Sequence, residues 1–143
     1  MRFSIISALT ALIAAPSVLT QVGVHCGTTE DATLSDCQAL VDPGTWNGAW
    51  AGTSNVCHYT NPISLEIDAV AHNVACHGNC CVYVARSDNP DKEQTRTEAQ
   101  GLLGCGDTGA NKINGLDFFA DRHGVCLSNG NGCGDCFDDS DFA

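Results

Sequence analysis

The stretch Cys76-His77-Gly78-Asn79-Cys80-Cys81-Val82-Tyr83-Val84 places three of the ten cysteines within six residues and runs directly into the strongest strand signal of the chain. Gly78-Asn79 is a tight-turn dipeptide, and residues 80–85 are rich in Val and Tyr, which suit a pleated, half-buried surface. This predicts a turn feeding a central strand. Neighbouring strand residues point to opposite faces, so Cys80 and Cys81 are expected to bond to different partners. Cross-links made here are expected to tie one strand to three distant parts of the chain.

Working outward, the cysteines stand at 26, 37, 57, 76, 80, 81, 105, 126, 133 and 136, all beyond a leading segment that reads as a secretory signal. Met1-Arg2 is a short basic start, residues 3–15 are apolar and uncharged, and Pro16-Ser17 break the run. We therefore divide the chain into a signal peptide over 1–20 and a cysteine-rich secreted domain over 21–143. In an oxidising compartment an even cysteine count reads as five disulfides, each stabilising a small core by about 2–4 kcal/mol. Connectivity stays open, because ten cysteines pair in too many ways for spacing to choose.

Without the leading segment five cations face 17 acids, a formal charge of −12. Such a field repels phosphate backbones, so nucleic acid is not an expected partner. No later stretch approaches the roughly 20 apolar residues of a membrane span, and a monomer without a span is expected. An extracellular protein or a cell-wall component is the expected partner.

Further elements follow from spacing. Leu34, Cys37, Leu40 and Val41 line one face of a short helix over 31–41, with Thr29 or Asp31 as N-cap and Pro43-Gly44 as its stop. Trp46 and Trp50 stand four apart and are either core or a ligand-binding pair. Residues 55–59 read as a strand around Cys57. Asn61-Pro62 then opens a segment in which Ile63, Leu65 and Ile67 alternate like a strand while Ile67, Val70 and Val74 have helical spacing; N-cap and N1 chemistry favours a helix. Residues 86–94 form an exposed loop. Thr95-Arg96-Thr97-Glu98 has capping-box spacing for a helix carrying Ala99, Leu102 and Leu103 and ending at Gly104. Residues 116–120 bring Phe118 and Phe119 to the core, 124–128 form a strand, and Asn129-Gly130 and Asn131-Gly132 are turns. The expected fold is a small single-domain α+β protein, with a short antiparallel sheet and two or three helices stapled by about five disulfides.

Chemistry is sparse. Cys133-x-x-Cys136 resembles a redox pair, but Asp135 and the following Asp138, Asp139 and Asp141 would raise a thiol pKa there, so its cysteines read as structural. Zinc needs reduced thiols, the aspartates lack calcium-loop spacing, and copper on His25 would need cleavage after Val24; no metal or cofactor is expected. His72, His77 and His123 with Glu66, Asp68, Asp117, Asp121 and Arg122 supply acid–base groups, densest at Asp121-Arg122-His123. No G-x-S-x-G, paired-His or phosphate-loop motif selects among them. His123 and Asp121 are accordingly the catalytic candidates of a small acid hydrolase, the alternative to a binding protein.

Cys26-Gly27, Asp36-Cys37-Gln38-Ala39-Leu40, Gly44-Thr45-Trp46 and Cys57-His58-Tyr59 together resemble the opening of the Ecp2-type necrosis-inducing effectors secreted by fungi, a group associated with killer-toxin-like folds. The resemblance covers residues 26–59. It implies a compact α+β fold and an extracellular effector or toxin-like role with no active site, directed at a host or a competing microbe. The Cys80-Cys81 pair, the Cys133-x-x-Cys136 end and the acidic tail depart from that pattern.

Overall fold

The structure, a computed structural model, describes residues 21–27, 31–59, 69–133 and 136–137. The expected signal peptide, the N-cap at Thr29, the opening of the 61–74 segment, Glu66 and Asp68, and the aspartates from 135 onward lie outside the described residues.

Strands β1 (Gln21–Cys26), β3 (Val56–Tyr59), β4 (Ala69–His77), β5 (Cys80–Ala85), β7 (Gly115–Phe119) and β8 (Gly124–Ser128) form one antiparallel sheet in the order β1-β7-β8-β5-β4-β3. A two-stranded ladder joins β2 (Ala32–Thr33) to β6 (Lys112–Ile113). The expected central strand is β5, which pairs with β4 on one side and β8 on the other. Its alternation builds two cores. Val82 and Val84 join Val125, Leu127 and Phe119 under the helices, while Cys81, Tyr83 and Ala85 join Cys126, Leu116 and Phe118 on the reverse face.

Three helices cover the first face: α1 (Leu34–Leu40), α2 (Pro43–Ala49) and α3 (Lys92–Gly101). Helix α1 starts later than expected, because Ala32 and Thr33 are drawn into the β2–β6 ladder. Thr33, not Asp31, stands at the N-cap, and its side chain makes no capping bond. Asn111 covers the open first turn from across the fold, its carbonyl accepting from Leu34 N and its side-chain Oδ1 from Ser35 N, both at 3.0 Å. Pro43-Gly44 does not stop the chain but begins α2, with Asp42 as N-cap accepting from Gly44 N and Pro43 at the first turn, where its missing N–H costs nothing. Helix α3 begins a turn before the expected capping box, on Asp91, which accepts from Gln94 N at 2.8 Å. It ends at Gly101 and tightens into a 3-10 turn, Leu102–Cys105, that includes Gly104.

The largest correction concerns residues 69–77. The helical spacing of Val70 and Val74 is coincidental: this segment is β4, its backbone paired by β3 and β5 and carrying a bulge between Asn73 and Ala75. Tertiary pairing on both sides outweighs a helical stripe of so few residues. Strand β1 is an element left unassigned by sequence; its Val22 and Val24 are exposed, so no buried alternation marks it.

All ten cysteines are paired. Cys80 reaches Cys37 on α1, while Cys81 faces the other way, as expected of neighbours on a strand. Cys81 bonds to Cys76, however, so stretch 76–84 sends one bridge to a distant element rather than three. Cys133 and Cys136 do not bond to each other. They meet Cys57 on β3 and Cys126 on β8, and so fix the segment bearing Phe137 over the reverse face.

Trp46 is 0% exposed in the helix-side core, its indole Nε1 donating to the Lys92 carbonyl at 3.0 Å, with Trp50 tilted against it and half-buried. Burial of Trp46 rules out a two-ring surface platform. Trp46→Ala is expected to cost about 3–5 kcal/mol through lost burial and a residual cavity, whereas Val22→Ser on the exposed edge changes stability by about 0.5 kcal/mol or less; denaturant unfolding checks both.

Candidate functional site

At one end of β5 two arginines adopt left-handed backbone, Arg86 (φ 58°) directly after the strand and Arg122 (φ 73°) in the turn between β7 and β8. Each conformation costs on the order of 1 kcal/mol for a residue bearing a Cβ. The two reversals bring loop 86–91 and His123 to the same cleft. Its lining includes Val84, Ser87, Asn89 and Asp91, then Gln94, Thr95 and Glu98 from α3, and Asp121 and His123 from the turn. The cleft encloses about 180 Å³. That is less than the roughly 300–1,000 Å³ of drug-sized ligand sites, and suits one side chain or a small polar group.

His123 is the centre of the site and is buried. Its ring lies flat on Phe119, with centroids 4.5 Å apart and planes 9° apart. Nδ1 meets Asp121 Oδ1 at 2.5 Å and Nε2 meets Glu98 Oε2 at 3.2 Å. Asp121 Oδ1 also accepts from the His123 backbone N–H, which fixes the turn. Glu98 is held in place by Gln94, whose Nε2 donates to Oε1 at 2.8 Å. The ring therefore joins α3 to the β7–β8 turn through both nitrogens. Burial alone would depress the His123 pKa, but the hydrogen bonds and charges of Glu98 and Asp121 outweigh it and leave the pKa above the ordinary 6.5. For Asp121 the small desolvation that would raise the pKa yields to the His123 bonds, and the carboxyl lies below 3.8.

Asp117 stands behind this group on the same face of the sheet, opposite Val125. It is buried, Oδ2 accepting from Gln21 Nε2 at 2.8 Å while Oδ1 has no partner. Burial raises its pKa; the Gln21 and Phe118 bonds oppose that, and the Glu98 charge adds to the rise. His72 lies across β5, opposite Val84, with its Nδ1 unpartnered, and His77 closes the exposed end of the β4–β5 hairpin opposite Cys80. Neither lines the cleft.

The structure thus brings Asp121 and His123 together and leaves His72 and His77 elsewhere. It adds Glu98, which sequence reading assigned to a cap. The signal was present: Thr95, Glu98, Ala99 and Leu102 follow helical i, i+3, i+4, i+7 spacing, so Glu98 is an acid on the buried stripe of α3, its side chain only 9% exposed. No group of three or more His, Cys, Asp or Glu is placed to hold a metal ion among the described residues. Chemically, the site is an imidazole clamped by two carboxyl groups beneath a rim of hydroxyl and amide groups.

No protein-family model matches the chain, and neither curated proteins nor solved structures give a significant match.

A histidine pKa raised by folding adds stability below its unfolded value near 6.5 and loses it as pH climbs through the folded value. The Asp121 contribution is present above 3.8 and lost below it. Asp117 has the opposite sense to Asp121: its buried carboxyl resists ionisation, so its contribution falls as pH rises from 3.8 through its raised folded value. Melting temperature is therefore expected to peak in mildly acidic buffer and to fall as His123 deprotonates. His123→Gln should flatten the decline above pH about 6.5 and cost about 1–3 kcal/mol at pH about 5, where Glu98 loses its buried partner, while Asp117→Asn removes only the lower part of the decline. Calorimetric melts across pH check this.

Proposed function

We propose that the protein is a secreted, disulfide-stapled effector or toxin-like factor that acts by binding a target on a host or competing cell, with the cleft rim at Ser87, Asn89 and Gln94 as its contact surface. The observation that carries this reading is the commitment of His123, Asp121 and Glu98 to one another. Both His123 nitrogens meet carboxylates, and Glu98 uses one oxygen on His123 and the other on Gln94. In this arrangement the ring has no nitrogen left to take a proton from a substrate. Carboxylates and side-chain amides at the rim suit a ligand that brings hydrogen-bond donors or a positive charge, and the lining includes no Lys or Arg. Five disulfides suit such a role in an oxidising environment, where preorganised loops lose little entropy on binding. The resemblance of residues 26–59 to Ecp2-type effectors points the same way.

A second reading, a small hydrolase working at acidic pH, draws on the convergence of His123, Asp121 and Glu98 at one cleft. It requires a substrate to displace one carboxylate from the imidazole. A carbohydrate-binding module resting on Trp46 and Trp50 has less support, since Trp46 is enclosed.

Oxidised protein is expected to alter target cells without turning over polysaccharide, ester or peptide substrates. Ser87→Arg or Asn89→Arg should weaken that effect about tenfold or more at unchanged melting temperature, the scale of filling a contact site with a misplaced charge. Turnover that disappears in His123→Ala would replace the binding reading with the hydrolase.

A further inference from the structure

The bridge between Cys76 and Cys81 differs from the other four in what it joins and in how it meets solvent. We propose that it is a thiol-exchange site that opens within the folded protein, with Cys76 Sγ as the sulfur attacked by a small external thiol of the glutathione class.

The two residues are directly opposed in the β4–β5 register, one pair before the Gly78-Asn79 turn, and lie only five apart in sequence. Everything this bridge holds is held by other means. The ladder pairs residues from Ala71 to His77 with residues from Ala85 to Cys80, and the adjacent Cys80 is anchored to Cys37 on α1. The turn itself is docked on α1: Asn79 N donates to Asp36 Oδ2 at 2.8 Å, and Gly78 (φ 55°) lies so close to the Asp36 carboxylate that a Cβ would stand 2.4 Å from it. Opening the bridge therefore leaves both strands in register. The other bridges each join elements that no ladder connects: β1 to the Leu102–Cys105 turn, α1 to β5, β3 to Cys133, and β8 to Cys136.

Access separates the bridges further. A thiolate must approach along the line of the S–S bond, so the sulfur attacked has to face solvent. Cys76 is exposed while Cys81 is 3% exposed, and Cys37, Cys80, Cys126, Cys133 and Cys136 are all buried. Cys26 is the other exposed cysteine, but its bridge to Cys105 closes 79 residues and holds the edge strand β1 to the Leu102–Cys105 turn, so opening it loosens the fold. Beside Cys81, Gly130 adds no side chain over the sulfur.

In the exchange an external thiolate attacks Cys76 Sγ. The new bond forms between the two, the bond from Cys76 to Cys81 breaks, and Cys81 leaves as a thiolate that takes up a proton. A mixed disulfide now sits on Cys76 at the exposed end of the hairpin. Return attack by Cys81 expels the external thiolate and restores the bridge; a second external thiolate instead releases Cys76, giving the dithiol and one oxidised thiol dimer, two electrons from two thiols.

The test treats the oxidised full chain with graded glutathione, traps free thiols with iodoacetamide and maps each cysteine by mass spectrometry, with buried Trp46 fluorescence as the report on folding. Glutathione on Cys76 with alkylated Cys81 is expected at about tenfold less reductant than any other cysteine requires, with fluorescence unchanged. A variant carrying Cys76→Ser and Cys81→Ser should keep the wild-type circular dichroism and take up no glutathione over that range. Labelling that begins at Cys26 or Cys105, or that reaches all ten cysteines together as fluorescence changes, overturns the proposal. The order of labelling in the wild-type chain decides the matter even where the double variant fails to fold.

Discussion

The structure depends on the alternation of side chains at Cys80 and Cys81. One sulfur faces the helices and the other the reverse side, and β5 carries the same alternation onward through Val82, Tyr83, Val84 and Ala85 into both cores. With a formal charge of −11 and a small hydrophobic interior, the chain has little margin from burial alone. Bridges on both faces of the sheet supply it. The helix side is fixed by Cys37 and the reverse side by Cys133 and Cys136, so neither layer can slide over the sheet.

This rigidity gives the cleft its character. Loop 86–91 leaves the end of β5, and His123 enters β8 beside it, so both edges of the cleft grow from adjacent strands at the middle of the sheet. Glu98 arrives from α3, whose position is set by Ala99 and Leu102 in the core. The His123 ring and its two carboxyl partners thus join helix to turn, and they tie that junction to pH.

What could be read in the sequence was what is local. The turn at Gly78-Asn79, the strands at 80–85 and 124–128 and the opposite facing of Cys80 and Cys81 follow from neighbours in sequence, and the structure contains them. Strand β4 is not legible because its pairing partners lie elsewhere in the chain, and a few valines at helical spacing carry no information about them. Strand β1 was missed because an edge strand with exposed Val22 and Val24 has no buried face to advertise. At the site, Asp121 and His123 were visible as neighbours two apart. Glu98 was not, since its acid on a buried stripe becomes meaningful only when His123 is known to face it.

Asn111 shows what such distant dependence means for assembly. It stands in left-handed backbone (φ 53°) and supplies both acceptors at the start of α1, a helix 76 positions earlier in the chain. Of seven residues, α1 is too short to persist alone in water, and its first turn is left open until the β6 region returns to cover it. The helix is therefore held by chain closure rather than by its own length. Cys37 rides on that helix, so its bond to Cys80 on β5 joins the capped helix to the central strand. The native pairing of Cys37 with Cys80 thus depends on the same closure that caps the helix.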